Sequence, residues 1–304
     1  MTEASDAADR RLPLAALVFG ALVIGLSPIL VRLAACGPAA AGFWRLGFAA
    51  PLLFLVARRG AGKGVGAGVG RPSAAMLLAG LAFALDLGCW HYGIRYTSVA
   101  NAIVLPNLTP VLVTVAGWLV FKERPRAVFL VGLVAAIGGA VLMAEAAAPS
   151  ARGGPNQHLG DLLSASTAVW YGLYFLAVRQ ARFAFTTGQV MLWSSLTGAP
   201  LLLAAALLLR EQILPATAAG WAASAGLGLV HVFGQGAIAW ALGRLPPSTA
   251  SLVVLVQPVA AVALGYLIFR EALTPLQAAG AAIALGGVIV AQRAPPIAVQ
   301  PAPA

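Results

Sequence analysis

The chain has 304 residues, of which 61% are hydrophobic and only 9% are charged. Soluble domains carry about 25% charged residues, so this composition excludes a soluble protein and indicates an integral membrane protein. The net charge of +10 does not indicate a nucleic-acid partner, because the basic residues stand singly or in pairs between apolar runs.

Ten apolar stretches are long enough to cross a bilayer, whose core of about 30 Å requires roughly 20 helical residues. In chain order, the predicted spans one to ten are 13–32, 38–57, 74–94, 97–120, 127–145, 160–178, 187–209, 217–242, 247–269 and 274–292. The predicted fold class is therefore an all-α integral membrane protein with ten transmembrane helices.

Lysine and arginine predict the orientation of these spans. With the N-terminus in the cytoplasm, thirteen basic residues fall on the cytoplasmic side and five on the opposite side, while Arg45 lies inside a span. Because basic residues concentrate in cytoplasmic loops, both termini are predicted to be cytoplasmic. An even number of spans agrees with this orientation.

The second half of the chain repeats the first. At an offset of 148, Pro110 matches Pro258, and the Phe-Lys-Glu sequence at 121–123 matches Phe-Arg-Glu at 269–271. Trp44 matches Trp193 at an offset of 149. Each unit holds five spans, so the second copy enters the membrane from the opposite side and the two form an inverted repeat. Such repeats are typical of carriers, because two similar halves in opposite orientations can exchange conformations.

Spans four and nine carry helix-breaking residues in corresponding regions. Pro106 and Pro110 lie in span four, Pro258 lies in span nine, and the amides near them are Asn101, Asn107 and Gln257. Interrupted backbone in lipid is tolerated only where protein or a water-filled cavity compensates it. Prolines alone are equally compatible with kinks in packed helices. The amides favour a binding region at the repeat interface, because a buried amide requires a partner or water.

Span three contains Asp86, the only acidic residue well inside any predicted span. A charge at the membrane centre costs about 2.5–3.5 kcal/mol on insertion scales, so Asp86 is not expected to face lipid. We predict a site for proton coupling or for a substrate amine at Asp86. A structural hydrogen bond between spans is the alternative.

Other polar and aromatic residues lie at similar depth in the repeat-related spans three and eight. Trp90 follows Asp86 by four residues, and His231 and Gln235 have the same spacing in span eight. For His91 and His231, a functional and a structural role remain equally open. The predicted substrate-binding residues are Trp90, His91, Asn101, Asn107, His231, Gln235, Trp240 and Gln257. Trp170 and Tyr171 offer further aromatic faces for an apolar or cationic group.

Arg45 lies about two turns into span two. It could line an outer vestibule and meet a substrate carboxylate there. It could instead extend to the membrane interface beside Trp44, as long basic side chains commonly do. We predict the second arrangement.

No cofactor or metal is predicted. The two cysteines, Cys36 and Cys89, form no metal-ligand spacing with the three histidines, and no nucleotide-binding loop is present. An intramembrane enzyme is the rival class, but it would need a nucleophile with its base, a carboxylate cluster or a metal set. The Gly-Leu-Ser-Pro sequence at 25–28 offers a serine without a convincing nucleophile turn, and the acids do not cluster within spans. A carrier rather than an enzyme is therefore predicted.

The two repeat endings, TSVANAIVLPNLTPVLVTVAGWLVFKE and PPSTASLVVLVQPVAAVALGYLIFRE, resemble those of EamA-type permeases of the drug/metabolite transporter superfamily. The Phe-Trp-Arg sequence at 43–45 resembles the arginine pattern of the family's second span. The segment DLGCWHYGIRYTSVANA resembles one bacterial branch, with matches at Asp86, Trp90, His91 and Asn101.

This resemblance implies a bacterial inner-membrane permease, often an exporter of amino acids or related small amphipathic metabolites. A multidrug or cation efflux permease is the alternative within transport. The expected partners are a small-molecule substrate and the lipid bilayer, and the expected assembly is a monomer or weak oligomer. Proton exchange through Asp86 and downhill flux without a coupling ion are both open as the energy source. The predicted domains are a cytoplasmic tail at 1–12, an EamA-like repeat at 13–145, a periplasmic linker at 146–159, a second repeat at 160–292 and a cytoplasmic tail at 293–304.

Overall fold

The computed structural model describes residues 2–60, 68–97, 105–121, 125–145, 156–269 and 274–293. In the first repeat, the helices are Thr2–Ile24 and Ser27–Leu33 in span one, Pro38–Arg59 in span two, Ala74–Tyr96 in span three, a 3-10 turn at Pro106–Leu108 followed by Thr109–Phe121 in span four, and Ala127–Glu145 in span five.

In the second repeat, the helices are Gln157–Arg182 in span six, Thr187–Leu208 in span seven, Ala218–Val230, a π-helical segment at His231–Gln235 and Gly236–Leu242 in span eight, Pro247–Val253 and Val256–Phe269 in span nine, and Pro275–Gln292 in span ten. The described residues contain no strand, which confirms the predicted all-α fold of ten spans. Seven described helices are long and apolar enough to cross a membrane. We call the face where span one begins the terminal face and the opposite one the distal face.

Side-chain caps define where several spans begin. Spans seven and ten each start at a capping box, in which Thr186 pairs with Gln189 and Thr274 pairs with Gln277. In each box the threonine accepts from a backbone N–H of the first turn, and the glutamine accepts from the threonine's own N–H. These bonds satisfy backbone donors that would otherwise lack partners at a helix end.

The packing of the spans follows inverted symmetry. Span three packs on span six, and its repeat mate, span eight, packs on span one. Span four contacts span six, and their respective repeat mates, spans nine and one, also contact each other. Spans two and seven, four and nine, and five and ten pack against their own mates. The inverted five-helix repeat predicted from the duplication is thus the architecture observed.

Two tryptophans show the same symmetry at atomic detail. The indole N–H of Trp44 in span two donates to the carbonyl of Ile213, in the loop after span seven, at 2.8 Å. The indole N–H of its mate, Trp193 in span seven, donates to the carbonyl of Val69, in the loop after span two, at 3.1 Å. Each repeat therefore anchors a loop of the other repeat, one at each face.

Spans five and ten approach so closely that their backbones touch. A Cβ added at Gly139 would lie 2.3 Å from the amide nitrogen of Ala284, and one added at Gly287 would lie 2.4 Å from that of Ala136. The neighbouring Gly138 and Gly286 have no such neighbour within 4 Å. The second glycine of each pair therefore permits the close contact, in keeping with small residues at membrane helix interfaces.

The predicted interruption of spans four and nine is also observed. Pro106 begins the 3-10 turn, Pro110 lies in the first turn of the following helix, and Pro258 lies in the first turn after the break at 254–255. A proline fits the first turn, because the amide it lacks would have no helical partner there. By contrast, Pro51 and Pro200 lie within the unbroken helices of spans two and seven.

Span one has a break that was not predicted, and Pro28 lies in the first turn of the helix that follows it. Its two helices end at Ile24 and begin again at Ser27, on either side of Gly25. A Cβ added at Gly25 would lie 2.8 Å from that of Ala260 in span nine. The break in span one therefore contacts span nine at Ala260, a few residues after the break in span nine at 254–255.

Candidate functional site

Polar and aromatic side chains from four spans meet in the interior of the bundle. We call this group the central cluster, and it comprises Arg45, Asp86, Tyr171, Tyr174, His231 and Gln235. Arg45 is 3% exposed, Asp86 is 7% exposed and Gln235 is 1% exposed, so lipid is excluded from these groups. At 1.5 Å per residue, Arg45 lies roughly 10 Å and Asp86 roughly 15 Å from the distal ends of their helices.

Arg45 and Asp86 are the charged pair of the central cluster. They interact electrostatically, yet no direct ion pair joins them in the described part of the chain. The guanidinium carbon of Arg45 lies 5.4 Å from the centroid of the Phe83 ring, one turn before Asp86 on span three. The prediction that Arg45 extends to the interface is therefore wrong, because the faces of spans three and six enclose its side chain instead.

The π-helical segment of span eight positions His231 and Gln235. A single wide turn of this kind shifts the register of the helix locally, and such turns are frequent at functional sites. His231 Nε2 lies 3.1 Å from the hydroxyl of Ser195 in span seven, and the imidazole lies 5.2 Å from the Phe83 ring. His231 is 1% exposed. The segment thus directs two polar side chains toward the interface of the repeats.

Two tyrosines of span six form the aromatic wall of the central cluster. The rings of Tyr171 and Tyr174 are parallel, with centroids 5.9 Å apart and an interplanar angle of 2°. Tyr174 also packs on Phe83 at 4.8 Å, and its hydroxyl contacts Met191 Sδ at 3.6 Å. These rings supply an apolar surface beside the charged pair.

Several donors around the charged pair make no hydrogen bond of ordinary geometry within the described residues, although Tyr171 lies close to Gln235 and Gln257. These donors are Arg45 Nε, Tyr171 Oη, Gln235 Nε2 and Gln257 Nε2. A buried polar atom without a partner costs about 1–3 kcal/mol, so each such atom requires an explanation. The grouping indicates a place where polar groups of another molecule are accommodated.

The other predicted site residues fall into three positions. The Nδ1–H of His91 donates to the carbonyl of Pro38 at 2.8 Å, and Trp90 packs on His91 with centroids 5.2 Å apart. Asn107, at the 3-10 turn of span four, has an unpartnered Nδ2. Trp240 lies apart from the central cluster, because its ring stacks 3.8 Å below the guanidinium of Arg244 near the terminal face. Asn101 lies outside the described residues.

Tyr174, Phe83 and Ser195 belong to the site and were missed by the sequence analysis. Phe83 and Asp86 are three residues apart, as are Tyr171 and Tyr174, so each pair shares a helix face. That spacing was the available signal for Phe83 and Tyr174. Ser195 carries no comparable signal, because serine is common in membrane helices. Its hydroxyl also donates to the carbonyl of Met191 at 2.7 Å, and this local bond accounts for the serine equally well.

The contact between Ser195 and His231 bears on the rival enzymatic interpretation. A serine nucleophile requires a base that a third group orients. Here His231 Nδ1 has no partner among the described residues, and the Ser195 hydroxyl already bonds to Met191 O. The pair therefore has the geometry of a bond between spans rather than that of a catalytic triad. The described residues also contain no group of three or more metal-ligating side chains.

Comparison with known proteins identifies the family. The model of the EamA-like transporter family matches residues 12–144 and again residues 158–292. The chain belongs to the EamA-like transporter family. It is thus a multi-pass membrane transporter, and the two matches correspond to its two repeats.

Individual relatives agree with this family. The chain is 26% identical over 195 residues to the pseudopaline exporter CntI of Pseudomonas aeruginosa, and the match covers 64% of both chains, less than two thirds of the exporter's length. It is 26% identical over 282 residues to an uncharacterized transporter of Archaeoglobus fulgidus, covering 92% of this chain and 96% of that one. A crystal structure of another protein has the same fold, with a TM-score of 0.76 and 18% identity over 93% of this chain and 97% of that chain.

Proposed function

We propose that this EamA-like transporter is a secondary-active exporter of small zwitterionic metabolites, amino acids in particular, and that the central cluster binds them. The observation that carries this proposal is the buried pair of Arg45 and Asp86, which are close enough to interact but form no direct ion pair. A guanidinium and a carboxylate buried near each other without a direct ion pair match the carboxylate and ammonium of one amino acid.

The surroundings of the pair support the same class of substrate. Tyr171, Tyr174 and Phe83 offer aromatic surface for an apolar side chain or for the ammonium group. The unpartnered donors of Tyr171, Gln235 and Gln257 are available to carboxylate oxygens. An amino acid would therefore satisfy atoms that the described protein leaves without partners.

Alternating access follows from the inverted repeat. Two halves of similar structure in opposite orientation can adopt each other's conformations, so that one site opens first to one face and then to the other. The interrupted helices of spans one, four, eight and nine give these spans points at which to bend. Rocking of the repeats about the central cluster would expose it to each face in turn.

Asp86 is the proposed coupling residue. Its carboxylate is buried near Arg45 without a direct ion pair, so a proton or a cationic group of the substrate would stabilise it further. Proton and substrate would then compete for one carboxylate. Entry of the proton from outside would release the substrate, and a proton gradient would drive export.

Location and direction complete the proposal. Thirteen basic residues against five support both termini in the cytoplasm of a bacterial inner membrane. The Pseudomonas relative is named as an exporter, which supports transport outward. Export of organic cations is the competing function, since Asp86 and the aromatic rings would accept a cation as well. Arg45 disfavours it, because a permanent positive charge in the site repels a cation.

A competition series in proteoliposomes tests the substrate class. Purified protein would exchange a panel of radiolabelled amino acids against unlabelled competitors, namely free amino acids, their N-acetyl derivatives, their methyl esters and a quaternary ammonium cation. Free zwitterions should compete, and blocking either charged end should weaken competition about ten-fold, the loss of one charge-assisted hydrogen bond. Equal competition by the ammonium cation would favour cation efflux. A chemical product without flux would favour an intramembrane enzyme.

A further inference from the structure

A pocket of about 820 Å³ opens at the distal face, away from the central cluster. The turn between spans one and two, the distal end of span three and the loop after span seven form its walls. Its charged and aromatic lining residues are Arg32, Arg95, Arg210, Glu211, Tyr92 and Tyr96. This volume falls within the range of small-molecule sites, about 300–1,000 Å³.

The walls of this distal pocket are held together by backbone hydrogen bonds between the two repeats. Gly37 N–H donates to the carbonyl of Gln212 at 2.8 Å, and Ala216 N–H donates to the carbonyl of Ala35 at 3.1 Å. Ala35 and Arg210 have φ of 48° and 53°, a left-handed conformation that costs energy for residues with a side chain. The surrounding bonds hold both residues in place, so the shape of the pocket is formed in advance.

Glu211 is the acidic residue of this lining, and neutral donors hold its carboxylate in place. It accepts from the backbone N–H groups of Ala39 at 3.2 Å and Ala40 at 3.0 Å, and from the Tyr92 hydroxyl. A Cβ at Gly37 would lie 2.2 Å from this carboxylate, so glycine permits the close approach. The carboxylate thus caps the positive end of the span two helix. Even without Arg32, the two guanidinium groups of Arg95 and Arg210 outnumber this one carboxylate in the lining.

We propose that the distal pocket binds the carboxylate or phosphate group of a small molecule, at a site separate from the central cluster. Arginine forks are suited to such anions, and the stacked rings of Tyr92 and Tyr96, 6.2 Å apart, provide apolar surface beside them. The distal pocket and the central cluster are separated by roughly 10 Å along span two, because Pro38 of the pocket lies seven residues before Arg45 of the cluster. The anion has two potential sources, a soluble metabolite and a phospholipid headgroup of the distal leaflet.

Cys36 provides a native reporter of this site. It lines the pocket and is half-buried, and burial together with the nearby charge of Glu211 raises the pKa of its thiol to about 11. Its alkylation at neutral pH is therefore expected to be slow and to accelerate as the pH rises toward that value, because the thiolate is the reactive form. A molecule bound in the pocket would slow the reaction further by covering the sulfur.

The test measures alkylation of Cys36 by N-ethylmaleimide in the full chain carrying Cys89→Ser. Protein in neutral detergent would receive succinate or inorganic phosphate, with sodium chloride at matched ionic strength as the reference. In parallel, protein would be reconstituted in phosphatidylcholine vesicles with or without phosphatidylglycerol. Saturable slowing by the soluble anions identifies a metabolite site. Slowing by phosphatidylglycerol alone identifies a lipid headgroup site, and both results support an anion site.

Matched variants decide whether the arginines cause the protection. Arg95→Gln and Arg210→Gln change exposed side chains and should each weaken the protection about ten-fold, judged from the ratio of rates with and without anion. Arg244→Gln, at the terminal face, should leave that ratio unchanged. The proposal is overturned if neither anion source slows the alkylation of Cys36. It is also overturned if the anion protects Cys36 as well in the Arg95 and Arg210 variants as in the Arg244 variant.

Discussion

Exchanging Arg45 for glutamine is expected to lower transport of zwitterionic substrates about ten- to a hundred-fold, because a charge-assisted hydrogen bond contributes about 1.5–3 kcal/mol. Glutamine keeps a polar side chain but removes the charge that we assign to the substrate carboxylate. The transport of methyl esters of the same amino acids should change little in this variant, since the esters offer no carboxylate. The measurement is the ratio of free acid to ester transport in proteoliposomes.

The exchange of Asp86 for asparagine should produce the complementary change. Discrimination against N-acetyl derivatives should fall, and transport should no longer depend on an imposed pH gradient, because asparagine takes up no proton. Both variants should elute from size-exclusion chromatography as the natural protein does, and Arg244→Gln, which lies outside the central cluster, should transport normally. An unchanged pH dependence in Asp86→Asn would remove this residue from the coupling role.

Alanine at Gly139 is expected to destabilise the protein by about 1–3 kcal/mol, the usual cost of overpacking a tight contact. The new methyl group would lie 2.3 Å from the amide nitrogen of Ala284 and 2.6 Å from the carbonyl oxygen of Gly280. Both are backbone atoms of span ten, so spans five and ten would have to separate. The midpoint of thermal unfolding in one detergent measures the effect.

The chain contains its own control for that substitution. Gly138 has no atom within 4 Å of an added Cβ, so alanine there should leave the midpoint unchanged or raise it through better helix propensity. The repeat predicts the same contrast between Gly287 and Gly286 in span ten. Equal midpoints for Gly138→Ala and Gly139→Ala would contradict the close backbone contact.

Much of the fold could be predicted because a bilayer leaves few alternatives. The apolar lengths gave the ten spans, and the matched positions at an offset of 148 predicted the inverted repeat. Breaks near Pro106 and Pro258 were predictable because amides accompany those prolines. Pro51 and Pro200 show that proline alone is insufficient, since both lie in unbroken helices.

The parts that escaped prediction depend on packing between distant segments. The break in span one was not predicted, although Pro28 follows it in the first turn of the next helix, and Ala260 of span nine approaches it at Gly25. The depth of Arg45 suits either an interfacial or an interior side chain. Phe83 of span three packs against the Arg45 guanidinium, and this contact favours the interior position. The π-helical segment at 231–235 likewise has no marker in its own sequence.

The most direct test of the central cluster as an alternately accessible substrate site is cysteine labelling at Ser195. In a chain with Cys36→Ser and Cys89→Ser, Ser195→Cys places the only thiol within contact of His231. A membrane-impermeant thiol reagent would be applied from either side of proteoliposomes with defined orientation. We predict labelling from both sides, slowed by the transported amino acid. Labelling from one side only, or an equal rate with and without substrate, would contradict the account.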